Sequence, residues 1–485
     1  VICGAHRMLS LAQLSQSVQE HLQLAGGPTS NKWSIGESGL SGRGLIATQD
    51  ISAGEILFVD SPLIYGPRAG KVLQRGCTVC CTLTSPNFIK CHQCALTLCS
   101  EECQKTELHA KDCVIISRWD NTIPKEEIDD AQLSRALTPI RALQLNKKQK
   151  TLQAALQTNV STQHGAEVRT IKKYFDIPEE DEETMLSTCY ALNANAFQIA
   201  TPFGRNELSQ RGLYPVAALM NHNCIPNTRH SFDDHRRMIV QAVKPLKAGT
   251  EIYSCYSGLL WGTPARRHHL FRTKHFWCKC DRCSDPTERG SMLAALKCFS
   301  TDCNGCLLPI EPLRNATPWR CVDCAMVVPA INIATIQNAL GSLMGNLDFE
   351  NVMQLESFLV NRANKYIPNC NQIVVDLQCR LIWMLGETEG SRWHDIAVPN
   401  THNLITTHTE KNTKYRDLAI ELKSQLKLDK VTTVPILVST IGVIPKTLHD
   451  SLKTINVDQH TYRQLQKATI LNTCRIVRKF GVKET

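Results

Sequence analysis

At 485 residues, with 20% charged and 42% hydrophobic side chains, the chain is long enough for about three domains and has the balance of an ordinary globular protein. Its formal net charge of +9 is mild and unconcentrated, so direct nucleic-acid binding is not implied, and no run approaches the ~20 apolar residues that span a membrane. Twenty-three cysteines, grouped in C-x-C, C-x2-C and C-x3-C clusters, point to metal sites in a reducing compartment rather than to disulfides.

In chain order, MLSLAQLSQSVQEHLQL has the apolar spacing of a helix. It lacks the charged start and continuous apolar core of a signal peptide, so a nuclear and cytoplasmic location is expected. Residues 38–58, SGLSGRGLIATQDISAGEILF, read as a glycine-rich turn, a strand, an Ala53-Gly54 turn and a second strand. Gly42 and Gly44 there would let backbone approach a ligand closely. Next comes Cys77-x2-Cys80-x10-Cys91-x2-Cys94-x4-Cys99-x3-Cys103-x5-His109-x3-Cys113. Eight ligands in four short pairs suit two tetrahedral Zn2+ ions, and so short a segment needs metal to supply its folding energy.

A helical stretch containing ALTPIRALQL follows, then LNANAFQI, then LMNHNCIPN. His222 and Cys224 in the last motif could be a base and a thiol nucleophile, a metal ligand or a packed turn. A thiol hydrolase also needs a third orienting group and an oxyanion site, and neither is visible. MIVQAVKPLKAGTEIYSCY, at 238–256, repeats the strand, Ala-Gly turn, strand pattern. CKCDRC supplies Cys278, Cys280 and Cys283, one ligand short of a tetrahedron, and Cys224 is the candidate fourth. Five further cysteines, Cys298, Cys303, Cys306, Cys321 and Cys324, have ribbon-like spacing that would use four of them. Spacing does not decide whether Cys298 or Cys306 is omitted; Cys298, Cys303, Cys321 and Cys324 are the favoured set. Apolar residues after Pro329 recur with helical period to about Glu389. Beyond Trp393, VTTVPILVSTIGVIP is rich in β-branched residues broken by Pro and Gly, a poor filling for a helical repeat.

GRG, the 77–113 spacing, ALMNHNCIPN, AGTEIYSCY and CKCDRC stand in an order that resembles the SET-and-MYND (SMYD) lysine methyltransferases, particularly their arthropod-type branch. The resemblance runs from about Trp33 to Cys324. It implies a multidomain α+β protein whose β-rich SET fold is split by a MYND zinc finger and a helical insert, with a post-SET zinc site and a helical C-terminal region. The expected segments are an N-terminal helix (1–30), the first SET part (33–76), the MYND finger (77–113), the helical insert (114–190) and the SET core (191–257). After them come the post-SET region (258–290), the ribbon-like segment (291–328), the helical region (329–390) and a tail (391–485). That tail, with DIAVPNTHN, KYRDLAIE and GVIPKTLH, resembles the C-terminal end of non-LTR retrotransposon polyproteins.

The family's MYND pairs interleave, which implies Cys77, Cys80, Cys99 and Cys103 on one zinc and Cys91, Cys94, His109 and Cys113 on the other, with Cys81 spare. The implied cofactor is S-adenosyl-L-methionine, with a pocket using Gly42 and Arg43, Asn195, Ala218, Asn221, His222 and Phe276. Backbone atoms of Asn221 and His222 would hold the adenine. Tyr256 becomes the catalytic tyrosine, orienting a neutral lysine amine in a dry channel. Two positions depart from the family. Lys274 stands where a second channel tyrosine is usual, which introduces a competing positive charge, and Ser41 replaces a common lysine before GRG. The implied partners are a protein lysine, histones among the candidates, and proline-rich peptides on the MYND finger. An adaptor with a weak or inactive SET scaffold is the alternative function.

Overall fold

The computed structural model describes residues 9–39, 42–68, 75–83, 85, 87–158, 164–199, 208–388, 396–397 and 436–437. Ser41 and nearly all of the retrotransposon-like tail lie outside the described residues. Two compact units are distinguished, one of residues 1–346 with 361–376 and one of 347–360 with 377–485.

In the first unit, α1 (Leu11–Ala25) starts at a capping box in which Ser10 and Gln13 bond each other's backbone N–H. Its Leu14, Val18 and Leu22, one helical turn apart, are buried in the main core. The N-terminal helix is thus part of the core, pinned by His21 Nε2 at 2.9 Å from the buried Asp60 carboxylate. Four strands follow: β1 (Trp33–Glu37), β2 (Arg43–Ala47), β3 (Ile56–Asp60) and β4 (Ile64–Pro67). The segment 77–113 holds a short hairpin of β5 (Ile89–Lys90) and β6 (Thr97–Leu98), then α2 (Glu101–Gln104) and α3 (Glu107–Ser117).

The helical stretch then unfolds as β7 (Asp120–Asn121), α4 (Asp130–Arg141), α5 (Lys147–Ala154), α6 (Ala166–Ile171), β8 (Phe175–Asp176) and α7 (Glu179–Asn195). Four carboxylates in the first turn of α7 complement its N-terminal partial charge. The remaining strands are β9 (Ala196–Ile199), β10 (Gln210–Leu213), β11 (Asn221–His222), β12 (Thr228–Phe232), β13 (Met238–Ala242) and β14 (Glu251–Ser254). Three small sheets result, β1-β2-β14-β11, β4-β10-β9 and β12-β13-β3, so each joins strands from before and after the helical stretch. Each repeated Ala-Gly turn carries its glycine at positive φ, Gly54 at 81° and Gly249 at 84°.

α8 (Thr263–Lys274) and α9 (Asp281–Ser284) lead to a four-stranded sheet, β15 (Leu296–Lys297), β16 (Cys306–Pro309), β17 (Trp319–Cys321) and β18 (Val327–Val328). The helical C-terminal region contains α10 (Ala330–Gly345), α11 (Val352–Phe358), α12 (Asn364–Tyr366) and α13 (Gln372–Thr388). In the second unit, Arg380 lies 5.0 Å from the Phe349 ring centroid, and Ile396–Ala397 pairs in parallel with Ile436–Leu437. Among the described residues no helix is long and apolar enough to cross a membrane.

Candidate active site and metal centres

Folding gathers the cysteines into four tetrads whose ligand atoms lie within 4.8 Å of one another. They are Cys77, Cys80, Cys99 and Cys103; Cys91, Cys94, His109 and Cys113; Cys224, Cys278, Cys280 and Cys283; and Cys298, Cys303, Cys321 and Cys324. A tetrahedron with ~2.3 Å Zn–S bonds has edges of about 3.8 Å. The separations fit: 3.5 Å for Cys80–Cys99, 3.9 Å for Cys91–Cys113, 3.5 Å for Cys224–Cys283 and 3.6 Å for Cys303–Cys321. His109 donates Nδ1–H to the Gln104 carbonyl at 2.7 Å, which turns its Nε2 lone pair toward Cys94 Sγ at 3.5 Å. The donor sets suit Zn2+. Cys306, the ribbon cysteine that spacing could not exclude, opens β16 outside the tetrad. Cys81 is buried with its thiol pushed up to about 12 by desolvation, an inert core residue.

The third tetrad underlies the candidate active site. Cys224 lies two residues past the end of β11, so a metal there would tie that strand to the α8–α9 region. Beside that tetrad stands His222, buried, with Nδ1 accepting the Tyr256 backbone N–H at 2.9 Å and Nε2 at 3.2 Å from Cys224 Sγ. Its side chain is therefore committed to the protein, and only its backbone is left to face a ligand. Phe276 packs on the same imidazole, ring centroids 5.9 Å apart.

Asn221 donates its amide to the Arg43 carbonyl at 3.1 Å and to Glu251 at 2.8 Å, tying the GRG turn to the NH motif across 178 residues. Gly42 has φ of 61°, and among the described residues nothing lies within 4 Å of where a Cβ would stand, so a side chain there would enter the space beside the turn. Gly44 serves a different purpose from the one expected. A Cβ there would sit 2.5 Å from Glu251 Oε1 and 3.1 Å from Asn221 Nδ2, so its missing side chain makes room for that pair and not for a ligand. Arg43 Nη2 donates to the Ala155 carbonyl at 2.6 Å, and Asn195 Nδ2 donates to Ala191 and Gln157 carbonyls at 2.8 and 2.7 Å. Asn195 is left with Oδ1 as an acceptor. Ala218 lies in the single turn Ala217–Leu219 just before β11.

Tyr256 is half-buried, 5.3 Å from the His222 ring, and its hydroxyl donates to the Met220 carbonyl. Burial, then the Glu251 charge, pushes its pKa up, so the phenol stays protonated with lone pairs available to an amine N–H. Lys274, at the end of α8, brings Nζ to 5.6 Å from the Tyr256 centroid and donates to the carbonyls of Ala194 at 2.5 Å and Asn193 at 3.3 Å. Desolvation lowers it to about 8.

Three supporting residues were not singled out from sequence. Glu251 is buried and accepts from Asn221, from Ser38 Oγ at 2.9 Å and from Tyr253 OH at 3.0 Å. Asn227, the last residue of NHNCIPN, bonds the Glu251 carbonyl at 2.8 Å and the Tyr253 N–H at 2.7 Å. It serves β14 as a neighbouring strand would, and Thr228 Oγ1 adds a bond to the Tyr253 carbonyl at 2.8 Å. A lone glutamate or threonine in a strand carries no sequence signal for such a role. The third asparagine of a dense polar motif was the one available hint.

The SET domain family model matches residues 42–257, running across both the cysteine-rich and the helical segments. SET domain-containing protein SmydA-8, isoform A, of Drosophila melanogaster is 33% identical over 383 residues, covering 77% of this chain and 82% of the relative. The chain belongs to the SET domain-containing proteins of the SMYD type. Histone-lysine N-methyltransferase SMYD3 of Mus musculus is similar at 26% identity over 65% of this chain and 74% of its own length. N-lysine methyltransferase SMYD2 of Homo sapiens matches at 27% over 50% and 58%.

Proposed function

We propose that this protein is an S-adenosylmethionine-dependent protein-lysine N-methyltransferase. The observation that carries the reading is the convergence of the GRG turn, Phe276 and Tyr256 on the NH strand beside the third cysteine tetrad. Open space beside Gly42, the Asn195 Oδ1 acceptor and the Phe276 ring fit a zwitterionic, aromatic cofactor. When bound, that cofactor supplies an electrophilic methyl group on a sulfonium.

The chain's own work is to desolvate and aim the amine. Tyr256, protonated and anchored through Met220, accepts an N–H of the incoming lysine and so directs its lone pair. His222 holds the Tyr256 backbone, and the zinc tetrad holds His222. Lysine readily loses its proton when desolvated, which suits it as the acceptor. Histones as substrate, proline-rich partners on a MYND-type finger at 77–113 and a nuclear and cytoplasmic location belong to this reading. The histone-lysine N-methyltransferase SMYD3 relative supports the histone substrate, and the 77–113 ligand order supports the MYND-type finger. The adaptor alternative is not favoured, because the residues around the pocket are assembled rather than scattered.

The test is calorimetry of zinc-replete protein with S-adenosylmethionine, followed by methyl transfer to histones and a peptide array. Binding and transfer are expected, with Tyr256→Phe keeping the first and losing most of the second. Absence of cofactor binding at high micromolar concentration overturns the reading.

A further inference from the structure

Lys274 lies beside Tyr256 and has the chemistry of the reaction's own acceptor. Its neighbours are unusual for a surface lysine. The amine lies against the Tyr256 ring, and both of its named hydrogen-bond partners are backbone carbonyls, Ala194 and Asn193, in the last turn of α7. Asn195, assigned above to the cofactor pocket, is the next residue along that turn. Phe276, assigned to the same pocket, is two residues beyond Lys274. The amine is therefore held one residue from Asn195 and carried two residues before Phe276 in the chain.

We propose that Lys274 is a methyl-acceptor site of this protein's own active centre, an amine that α8 delivers in cis to the position of a substrate lysine. The proposal rests on the methyltransferase reading and goes beyond it. Two N–H groups suffice to satisfy both carbonyls, so the amine keeps both bonds in its neutral form and retains a free lone pair. Burial supports that form, since it lowers the amine toward physiological pH. In the transfer, the lone pair forms an N–C bond to the sulfonium methyl, the C–S bond breaks and its electron pair goes to sulfur. S-adenosylhomocysteine leaves, and the methylammonium sheds its extra proton to solvent. Covalent tethering removes the association cost that an outside lysine must meet, so the step is favoured as an intramolecular one. A purely structural role is the competing explanation, because an ammonium on the last carbonyls of α7 is also a favourable helix cap.

The experiment incubates the full zinc-replete chain with S-adenosylmethionine and maps methylation by peptide mass spectrometry. A gain of one CH2 or more at Lys274 is expected, at a rate independent of protein concentration. Lys274→Arg keeps the positive charge and should fold alike while losing the modification. A second readout needs no turnover: acetylation of Lys274 by an N-hydroxysuccinimide ester should slow severalfold when S-adenosylhomocysteine is bound. If other lysines or added histones are methylated while Lys274 stays unmodified and unshielded, Lys274 is only a cap and the proposal fails, with the methyltransferase reading intact. If calorimetry finds no cofactor binding and no lysine is modified, both fail together.

Discussion

His222 illustrates how much of this site depends on one ring having two faces. A backbone N–H can only donate, so the 2.9 Å contact from Tyr256 makes Nδ1 the acceptor and leaves the proton on Nε2, facing Cys224. Burial lowers the imidazole to about 4, so it stays neutral and keeps that arrangement at physiological pH. His222→Ala removes partners from two buried groups at once. It should cost on the order of 1–3 kcal/mol per unmet group, read as a lower urea midpoint. Zinc content should be unchanged, since His222 is no ligand; loss of one zinc would contradict the assignment. His222 and Cys224, adjacent enough in sequence to suggest a catalytic dyad, thus divide into a positioning residue and a metal ligand.

At the scale of elements, α4 is the joint between the cysteine-rich segment and the strands. Arg141 at its end is buried and makes a forked contact to Asp112 of α3, with bonds of 2.8 to 3.1 Å. It also donates to the carbonyls of Tyr65 in β4 and Thr78. Arg141→Ala would leave the buried Asp112 unpaired and should destabilise by about 3–5 kcal/mol in denaturant unfolding. Arg141→Lys should rescue little, because an ammonium lacks the planar fork.

A second joint, Glu167 of α6 to Arg211 of β10 at 3.0 Å, sets an acid limit. Burial alone would raise the Glu167 carboxyl, but the Arg211 charge and local hydrogen bonds outweigh it and hold it below the usual carboxylate range. A depressed carboxyl stabilises the fold above its unfolded value. That contribution is lost as pH falls from the ordinary glutamate range to the folded value. Acid titration of Glu167→Gln should accordingly show a shallower loss of stability than the parent; equal slopes would remove Glu167 from the account.

For the whole molecule, the proposed function couples metal and cofactor through β11. Its Asn221 ties the strand to the GRG turn, and Cys224 lies two residues past the strand's end, so the tetrad that holds Cys224 also fixes this strand. Elemental analysis should find four zinc ions per chain from the four tetrads among the described residues. Chelation should unfold the 77–113 segment, lower helical circular dichroism and abolish cofactor binding in calorimetry. Cys224→Ser should lose one ion and the same affinity. Undiminished affinity in zinc-free protein would sever the proposed link.

The order and spacing of GRG, NHNC and CKCDRC were enough to name the family and the cofactor class. All four cysteine tetrads were legible as well, one of them by preference between Cys298 and Cys306. Ligand spacing is a local property, and a metal tolerates few alternatives at given distances. The role of Gly44, the buried Glu251, the committed side chains of Arg43 and Asn195 and the two faces of His222 were decided only by tertiary packing. Lys274 shows the division most sharply. The chain alone marked it as a charge in the wrong place. Where its amine points depends on α8 meeting the last turn of α7, some 80 residues earlier in the chain, and no local pattern encodes that encounter.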